Sequence, residues 1–383
     1  MVLILNNQEL ESVLDMPSCV DALYQGLKAY TCGDAARRPR IDLFAPTSRP
    51  DEFACFSSME GIIRGGYYAI RLKPDIISWP EVNGLRRRAT YCYQPGLYGG
   101  LILLFRTENA ELVSIMNDGY IQHMRVGATA ALGAKYLARS NATSVGILGS
   151  GGMARSFALG FAAVRHIETF KVYSQNPDHV RVYCQEIREK LQVEAIPMNN
   201  PLEVVKGSDI IASCTNSMKP VIKGRWLKPG MFVANVAGRE LDREGFRRVT
   251  LMGYLVFKDE PLRLSGFVDD NFDVRMNVMA YLAGNLDERQ RIPVVWDKKS
   301  SRPNCRWVPC IDWKTDTPLG REKEEDITLL AELTGSNFPG GLASSGIQGL
   351  QFAAIAGRAY ELASARGLGK PMDIKLFLQD IPT

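Results

Sequence analysis

The chain has 383 residues, of which 46% are apolar and 23% charged, and a formal net charge of +4. That length suits about two domains, and the apolar fraction is enough to bury a full core. The charge is too mild, and the basic residues too little interleaved with aromatics, for a nucleic-acid binder.

The first apolar run, residues 1–5, is too short for a signal peptide and has no basic stretch before it, so none is expected. No segment approaches the ~18 uninterrupted apolar residues of a membrane-spanning helix, so no membrane partner is expected. The eight cysteines form no C-x-x-C pair and read as reduced thiols of a cytoplasmic protein. The three histidines, His123, His166 and His179, make no ligand spacing, so no metal is expected.

In chain order, residues 7–11 and 16–30 read as one or two helices, with Val20, Leu23 and Leu27 on one side. Arg37, Arg38 and Arg40 lead into an apolar run at 41–44. Residues 67–73 alternate as a strand, which puts Arg71 and Lys73 on the same face. The cluster Arg86-Arg87-Arg88, after Trp79, Pro80 and Gly84, reads as a loop exposing charge. Residues 101–105 and 112–116 flank a hairpin connection. A turn at 117–120 then leads to a long alanine-rich helix over 121–138. Arg125, near its start, opposes the helix dipole. It is either a solvated surface residue or a guanidinium that holds a carboxylate.

Residues 144–160 carry the main local signal. An apolar run at 145–148 precedes Gly149-Ser150-Gly151-Gly152-Met153-Ala154, a helical pattern follows, and a second strand falls at 169–173, where a βαβ unit needs one. Gly149 allows the tight turn, Gly151 lets the backbone approach a pyrophosphate, and Ala154 keeps the helix close to the strand. Free N–H groups from Gly152 onward then face the phosphates, which the helix dipole favours. A Rossmann turn is therefore predicted at 149–154. The second strand ends in Ser174, Gln175 and Asn176, with no acid before Asp178. An acid there would bond the ribose 2′-OH of NAD and repel the 2′-phosphate of NADP. The expected cofactor is accordingly NADP or NAD, with NADP favoured.

Further units follow: a helix at 180–191, a strand at 193–196, a short helix at 201–206 and a buried strand at 209–213. That strand ends in Thr215 and Asn216, at the carboxyl end of a sheet where ligands bind; the other reading is an ordinary strand-end turn. Strands at 231–235 and 250–257 complete the sheet, the latter as the last. Residues 259–325, rich in Trp and Pro, read as an ordered excursion that either covers the site or enlarges a subunit contact. A Gly/Ser turn at 340–349 precedes a final helix at 350–366.

Several of these segments together resemble the ornithine cyclodeaminase/mu-crystallin family. They are Asn117-Asp118-Gly119, the Met124-Arg125 helix with Ala128-Thr129 and Ala131-Leu132, the glycine turn, residues 208–217 and 228–235, and the tail segments at 349–354 and 360–363. The resemblance covers roughly 35–258 and 325–380. It implies a nicotinamide cofactor and a small substrate joining an amino or imino group to a carboxylate. Arg40 and Arg125 match the arginines that hold that carboxylate. The family's active-site lysine falls on Arg71, unless a register change lets Lys73 serve. Its acidic residue falls at Glu240, but Glu240-Leu241-Asp242 also matches a later Glu-Leu motif, in which case the catalytic acid is missing. Ser344, Ser345 and Gly346 would lie against the nicotinamide.

The implied fold is α/β, with a Rossmann doubly wound domain over 121–325. A discontinuous α+β substrate-binding and dimerisation domain, 1–120 with 326–383, would form a homodimer. The leading expectation is an NAD(P)-dependent oxidoreductase of amino-acid metabolism, acting on an imino or keto acid or the matching amino acid. Arg40, Arg71 and Arg125 would clamp the carboxylate, and Lys73 or Glu240 would supply the proton. The alternatives are a cyclodeaminase-type ammonia lyase with bound NAD, and a mu-crystallin-like protein that retains NADPH or another ligand.

Overall fold

The computed structural model describes all residues except 39, 83–84, 87, 238–239, 257–271, 276–277, 283, 293–304, 332–346, 380 and 382–383. Two large sheets organise the chain. Near its start, the helix Asn7–Val13 is closed by a capping box between Asn6 and Glu9. The helix Met16–Cys32 begins on an Asp15 cap with Pro17 in its first turn and stops at Gly33, whose φ of 87° only glycine adopts easily.

The first sheet is mixed. Its spine runs Ile41–Pro46, Phe53–Ile63, Tyr67–Ser78, Leu101–Arg106, Leu112–Asn117, Val2–Leu5, with Lys370–Met372 on the outer edge. Short strands Ala35–Arg37 and Ala89–Tyr91 attach to Phe53–Ile63 and Tyr67–Ser78. The second sheet is wholly parallel among the described residues. Its order is Glu194–Pro197, Thr169–Tyr173, Ser144–Leu148, Ile210–Ser213, Phe232–Asn235, Thr328–Leu330, Leu251–Tyr254, Arg306–Pro309. Strand order reverses beside Ser144–Leu148, as in a doubly wound sheet.

Two expectations change here. Residues 251–254 are not the last strand of the parallel sheet, because Arg306–Pro309, inside the supposed excursion, adds an edge strand beside them. Phe272–Arg275 and Val278–Leu282 form a hairpin that extends the other sheet, parallel to Ile41–Pro46. Conversely, Thr328–Leu330, grouped above with the C-terminal part of the first domain, inserts between Phe232–Asn235 and Leu251–Tyr254. These pairings join residues far apart in sequence, so no local pattern announces them.

The helix Gly119–Leu137 links the two sheets. Its small residues allow backbone contact: a Cβ on Gly127 would lie 2.4 Å from Ser156 O, and one on Gly160 2.5 Å from Gly127 O. The helix Gly152–Val164 therefore packs directly on it, Phe157 and Phe161 filling the space beside that contact. The final helix Ile347–Ala365 returns to the first sheet as expected, with Gly349 against the Glu60 backbone and Ala354 against Gly26. A continuous apolar core runs from Leu10 and Leu23 through Leu132 to Val145 and Phe170. Among the described residues no helix is long and apolar enough to cross a membrane.

Candidate functional site

The strand Tyr67–Ser78 alternates strictly, so Arg71, Lys73 and Asp75 share its inner face while Leu72 points out. Register aligns Met59 with Arg71, Ser57 with Lys73 and Cys55 with Asp75, and Asp42 pairs with Ser57 one strand further. The inner face thus carries a strip of charge. Arg40, just before Ile41–Pro46, holds Asp42 with two bonds, 2.6 and 3.0 Å, and donates to Ser57 Oγ at 2.9 Å. Lys73 Nζ bonds Asp75. Burial pulls the Lys73 ammonium below its usual pKa, and Asp75 works against that pull.

Arg71 is 2% exposed. It donates from Nε to Asp118 Oδ2 at 2.7 Å, and its Nη2 lies 2.5 Å from the same oxygen. Asp118 is the N-cap residue of the helix Gly119–Leu137 but makes no side-chain cap bond; it spends its carboxylate on Arg71 instead. It also packs so close to Gly100 that a Cβ there would fall 2.2 Å from Oδ1. Arg125, two turns into the same helix, is 8% exposed and therefore not a solvated surface residue. It donates to Gln351 Oε1 at 2.7 Å and to Gln122 Oε1 at 3.0 and 3.3 Å. Gln351 is fixed in turn by its bond to Thr129 Oγ1 at 2.7 Å. The Phe352 ring lies 5.3 Å from the Arg71 guanidinium carbon and 5.4 Å from that of Arg125.

The three arginines singled out from sequence do come together, but in different electrostatic states. Arg40 and Arg71 are each matched by a carboxylate. Arg125 has only amide oxygens among the described residues. Burial, then Arg71 and Arg40, push it down to about 9, with Asp118 opposing. At neutral pH the guanidinium remains charged. A buried cation without an anion is costly, and a substrate carboxylate would relieve that cost with a two-pronged bond.

The glycine turn forms where predicted. Gly149 has φ of 113°, its N–H reaches Tyr173 O at 2.8 Å, and a Cβ on it would strike Cys214 O at 2.4 Å. Gly151 caps the helix Gly152–Val164 without any side-chain bond, and a Cβ built on it meets nothing within 4 Å. Open space in front of free helical N–H groups is what a pyrophosphate needs. Ser150 and Met153 line the turn half-buried, and Ala154 is fully buried beneath it, its carbonyl accepting from Tyr183 Oη at 2.9 Å. Arg155 does not add a free cation, because it bonds Glu186 at 2.5 and 3.0 Å and Ser150 O at 2.7 Å.

At the end of Thr169–Tyr173 the chain shows no carboxylate before the next helix. Asn176 caps that helix, Pro177–Leu191, accepting from Asp178 and His179 N–H groups, so its side-chain oxygen is committed. Ser174 Oγ accepts from the Asn176 N–H at 3.4 Å, and Gln175 is exposed.

Glu240 is 0% exposed. One carboxylate oxygen accepts from the Thr215 N–H and hydroxyl at 2.8 and 2.7 Å, the other from the Ala237 N–H at 2.9 Å. Burial raises its pKa and these bonds oppose the rise. Among the described residues the group stitches two strand-end loops through both of its oxygens. Thr215 is thereby fixed, while Asn216 is exposed. Ser344, Ser345 and Gly346 lie outside the described residues.

Sequence reasoning missed several participants. Asp118, within the turn expected at 117–120, neutralises Arg71. Gln351 and Phe352 come from the last helix. His123 packs on the glycine turn: a Cβ on Gly152 would lie 2.6 Å from its Cε1, and burial lowers its pKa. A polar residue one helical turn from Gly119 was the one available hint for it. The arginine cluster also needs correction. Arg88 does not simply expose charge; it is half-buried and faces Arg40, Cys55, Asp75 and Asp42. The side chains of Arg86 and Arg87 are outside the described set.

The parallel sheet, its glycine turn and the charged inner face of a second, mixed sheet define a Rossmann-fold protein with an added α+β half. Residues 92–268, a little under half of the chain, match the ornithine cyclodeaminase/mu-crystallin family. A Δ1-pyrroline-2-carboxylate reductase of Bacillus cereus is 33% identical over 122 residues, 32% of this chain and only 38% of that relative's length. Among solved structures, the Thermococcus litoralis Δ1-pyrroline-2-carboxylate reductase in complex with NADH and L-proline superposes with a TM-score of 0.68 and 21% identity. It covers 97% of this chain and all of that one. An archaeal alanine dehydrogenase dimer with bound NAD gives 0.67 and 19%, over 97% and 99% of the two chains. At such identities the likeness concerns the fold.

Proposed function

We propose that this protein is an NAD(P)-dependent oxidoreductase acting on the C=N or CH–NH centre of a small imino or keto acid or the matching amino acid. The observation that carries the reading is Arg125. It is a buried guanidinium lacking a carboxylate partner among the described residues, on the helix whose His123 touches the dinucleotide turn at Gly152. The carboxylate seat therefore lies beside the cofactor turn. The similar proteins named as a Δ1-pyrroline-2-carboxylate reductase and a ketimine reductase point the same way.

The open cradle at Gly149–Ala154 suits the pyrophosphate of the cofactor, with Thr215 and Asn216 at the adjoining strand end. Ser174 to Asn176, carrying no acid, tolerate a 2′-phosphate, so NADP is preferred over NAD. When bound, the nicotinamide supplies or accepts hydride at the carbon joined to nitrogen. Arg125, with Arg40 beside it, holds the substrate carboxylate. Lys73 is the proton donor to nitrogen in the reductive direction: burial eases its deprotonation, and Asp75 keeps it in place. Arg71 anchors Asp118, and Glu240 positions Thr215; neither transfers a proton in this scheme. The chain then divides into a Rossmann half around the parallel sheet and a substrate-binding half around the mixed one. Eight cysteines with no disulfide between them among the described residues suit a reducing compartment, the cytoplasm.

The test is NADPH and NADH oxidation at about 340 nm, where reduced nicotinamide absorbs, with cyclic imino acids and with 2-keto acids plus ammonia or methylamine. NADPH turnover exceeding NADH turnover is expected, and Ser174→Asp should reverse the order. No oxidation of either cofactor with any of these substrates would sink the reading. Retention of NADPH without turnover would then favour a ligand-holding role, for which the engagement of Arg71 and Glu240 already speaks.

We also infer a homodimer through the outer face of the mixed sheet. There Leu43, Phe56, Leu72 and Leu101 are 53%, 57%, 38% and 47% exposed, with Leu43 in register with Phe56 and Leu72 with Leu101. A contiguous apolar patch of this kind normally meets a partner. Sedimentation should give twice the chain mass for the wild type and a monomer for Phe56→Glu; a monomeric wild type overturns the inference.

A further inference from the structure

The inner face of the mixed sheet holds more positive charge than one carboxylate can satisfy. Among the described residues its cations are Arg40, Arg71, Lys73, Arg88 and Arg125. Three have an anion: Arg40 has Asp42, Arg71 has Asp118 and Lys73 has Asp75. Two do not, namely Arg125 and Arg88. Arg40 is their common neighbour, and its charge makes each of them harder to accommodate.

A second observation points to the same place. Arg88 Nε is buried without a hydrogen-bond partner among the described residues, and so is Trp79 Nε1. The two donors are brought together by strand pairing: Ser78 is in register with Ala89, which places Arg88 and Trp79 at the adjoining ends of their strands. Trp79 is held there by its edge-tilted packing on Phe53, ring centres 6.0 Å apart. A buried donor left unbonded is costly, and two on adjoining strand ends, one of them on a cation with no ion pair of its own among the described residues, form a site for an acceptor carrying negative charge.

We propose that this end of the inner face binds a second carboxylate of the substrate, so that the substrate is a dicarboxylic imino, keto or amino acid. The inference rests on the reading of Arg125 as the seat of the first carboxylate. In it, Arg125 takes the carboxylate next to the reacting carbon. Arg88, with the Trp79 indole N–H, takes the distal one, and Arg40 with Asp42 separates the two seats. A monocarboxylic substrate leaves the Arg88 guanidinium unmatched; a dicarboxylic one matches both cations.

The test is calorimetric titration of the full chain, with and without saturating NADPH, using glutarate against valerate and succinate against butyrate. Each pair differs in one carboxylate. A charge-assisted bond in a desolvated site predicts a preference for the diacids of about 10- to 100-fold. Arg88→Gln should abolish that preference while leaving monoacid affinity unchanged. Trp79→Phe removes only the N–H and should lower diacid affinity about 2- to 10-fold, which keeps the test decisive if Arg88→Gln fails to fold. Equal affinity for diacid and monoacid in the wild type, or a preference that survives both substitutions, overturns the proposal. Because the ratios are read without turnover and without cofactor as well as with it, they stand apart from the oxidation assay. A chain that prefers diacids yet oxidises no nicotinamide would keep the second seat and lose the reductase reading.

Discussion

Replacing Arg125 by methionine is expected to lower kcat/KM for the imino or keto acid by about a thousandfold and to leave thermal stability nearly unchanged. The first effect follows from removing the buried cation that, with Arg40 beside it, meets the carboxylate next to the reacting carbon. Truncating a partner of such a desolvated pair costs roughly 2–5 kcal/mol, and about 4 kcal/mol corresponds to a factor near 10³ in rate. The second effect is a balance. Methionine relieves the cost of burying an unmatched guanidinium among Gln122, Gln351 and Phe352, and its thioether packs well on the Phe352 ring. It also deprives the two glutamine oxygens of their donor, at about 1–3 kcal/mol if they stay buried and unbonded. The opposing terms are of similar size. Steady-state kinetics with a melting curve checks both halves, and a kcat/KM within about threefold of wild type would remove Arg125 from the site.

The other large effect concerns Asp118. Asp118→Ala should destabilise the fold by about 3–5 kcal/mol, because it leaves Arg71 charged and alone where the side chain is 2% exposed. Such a residue costs far more to strand than to remove. The double replacement Arg71→Met with Asp118→Leu should therefore recover most of the loss, since a buried ion pair contributes little over a well-packed apolar pair. Asp118→Asn should fall between, keeping a hydrogen bond to Arg71 and losing the charge. Urea unfolding of the four proteins measures this order. If the single Ala variant loses under about 1 kcal/mol, the pair is better hydrated than its burial indicates.

These two residues also show how far local reading reaches. The alternation at 67–73 announced that Arg71 and Lys73 share a face, and the strand Tyr67–Ser78 bears that out. The glycine turn followed from chain geometry, since φ of 113° at Gly149 admits little else. The hairpin at Leu101–Arg106 and Leu112–Asn117 and the alanine-rich helix Gly119–Leu137 were equally local. The resemblance to the family rested in part on the glycine turn and on that helix.

Partnerships were a different matter. Asp118 lies 47 positions from Arg71, and Gln351 lies 226 positions from Arg125; nothing near either arginine signals them. Arg125 could be read as a surface residue because a cation near a helix start looks solvated until the helix Ile347–Ala365 covers it. Both oxygens of Glu240 are held by loops at the ends of two parallel strands, a pairing that no local pattern announces. Arg88 looked like exposed charge until its strand edge folded onto the inner face.

What the amino-acid sequence determined by itself is the set of features governed by one or two turns of chain: strand alternation, helix caps, the glycine turn, the missing acid at Ser174 to Asn176. Only the tertiary structure decided which arginines are already neutralised, which remain unmatched, and where the strands at 306–309 and 328–330 insert. The reason is physical. Backbone conformation answers to neighbours a few residues away, whereas the cost of a charge depends on every group that excludes water from it, and those groups arrive from opposite ends of the chain.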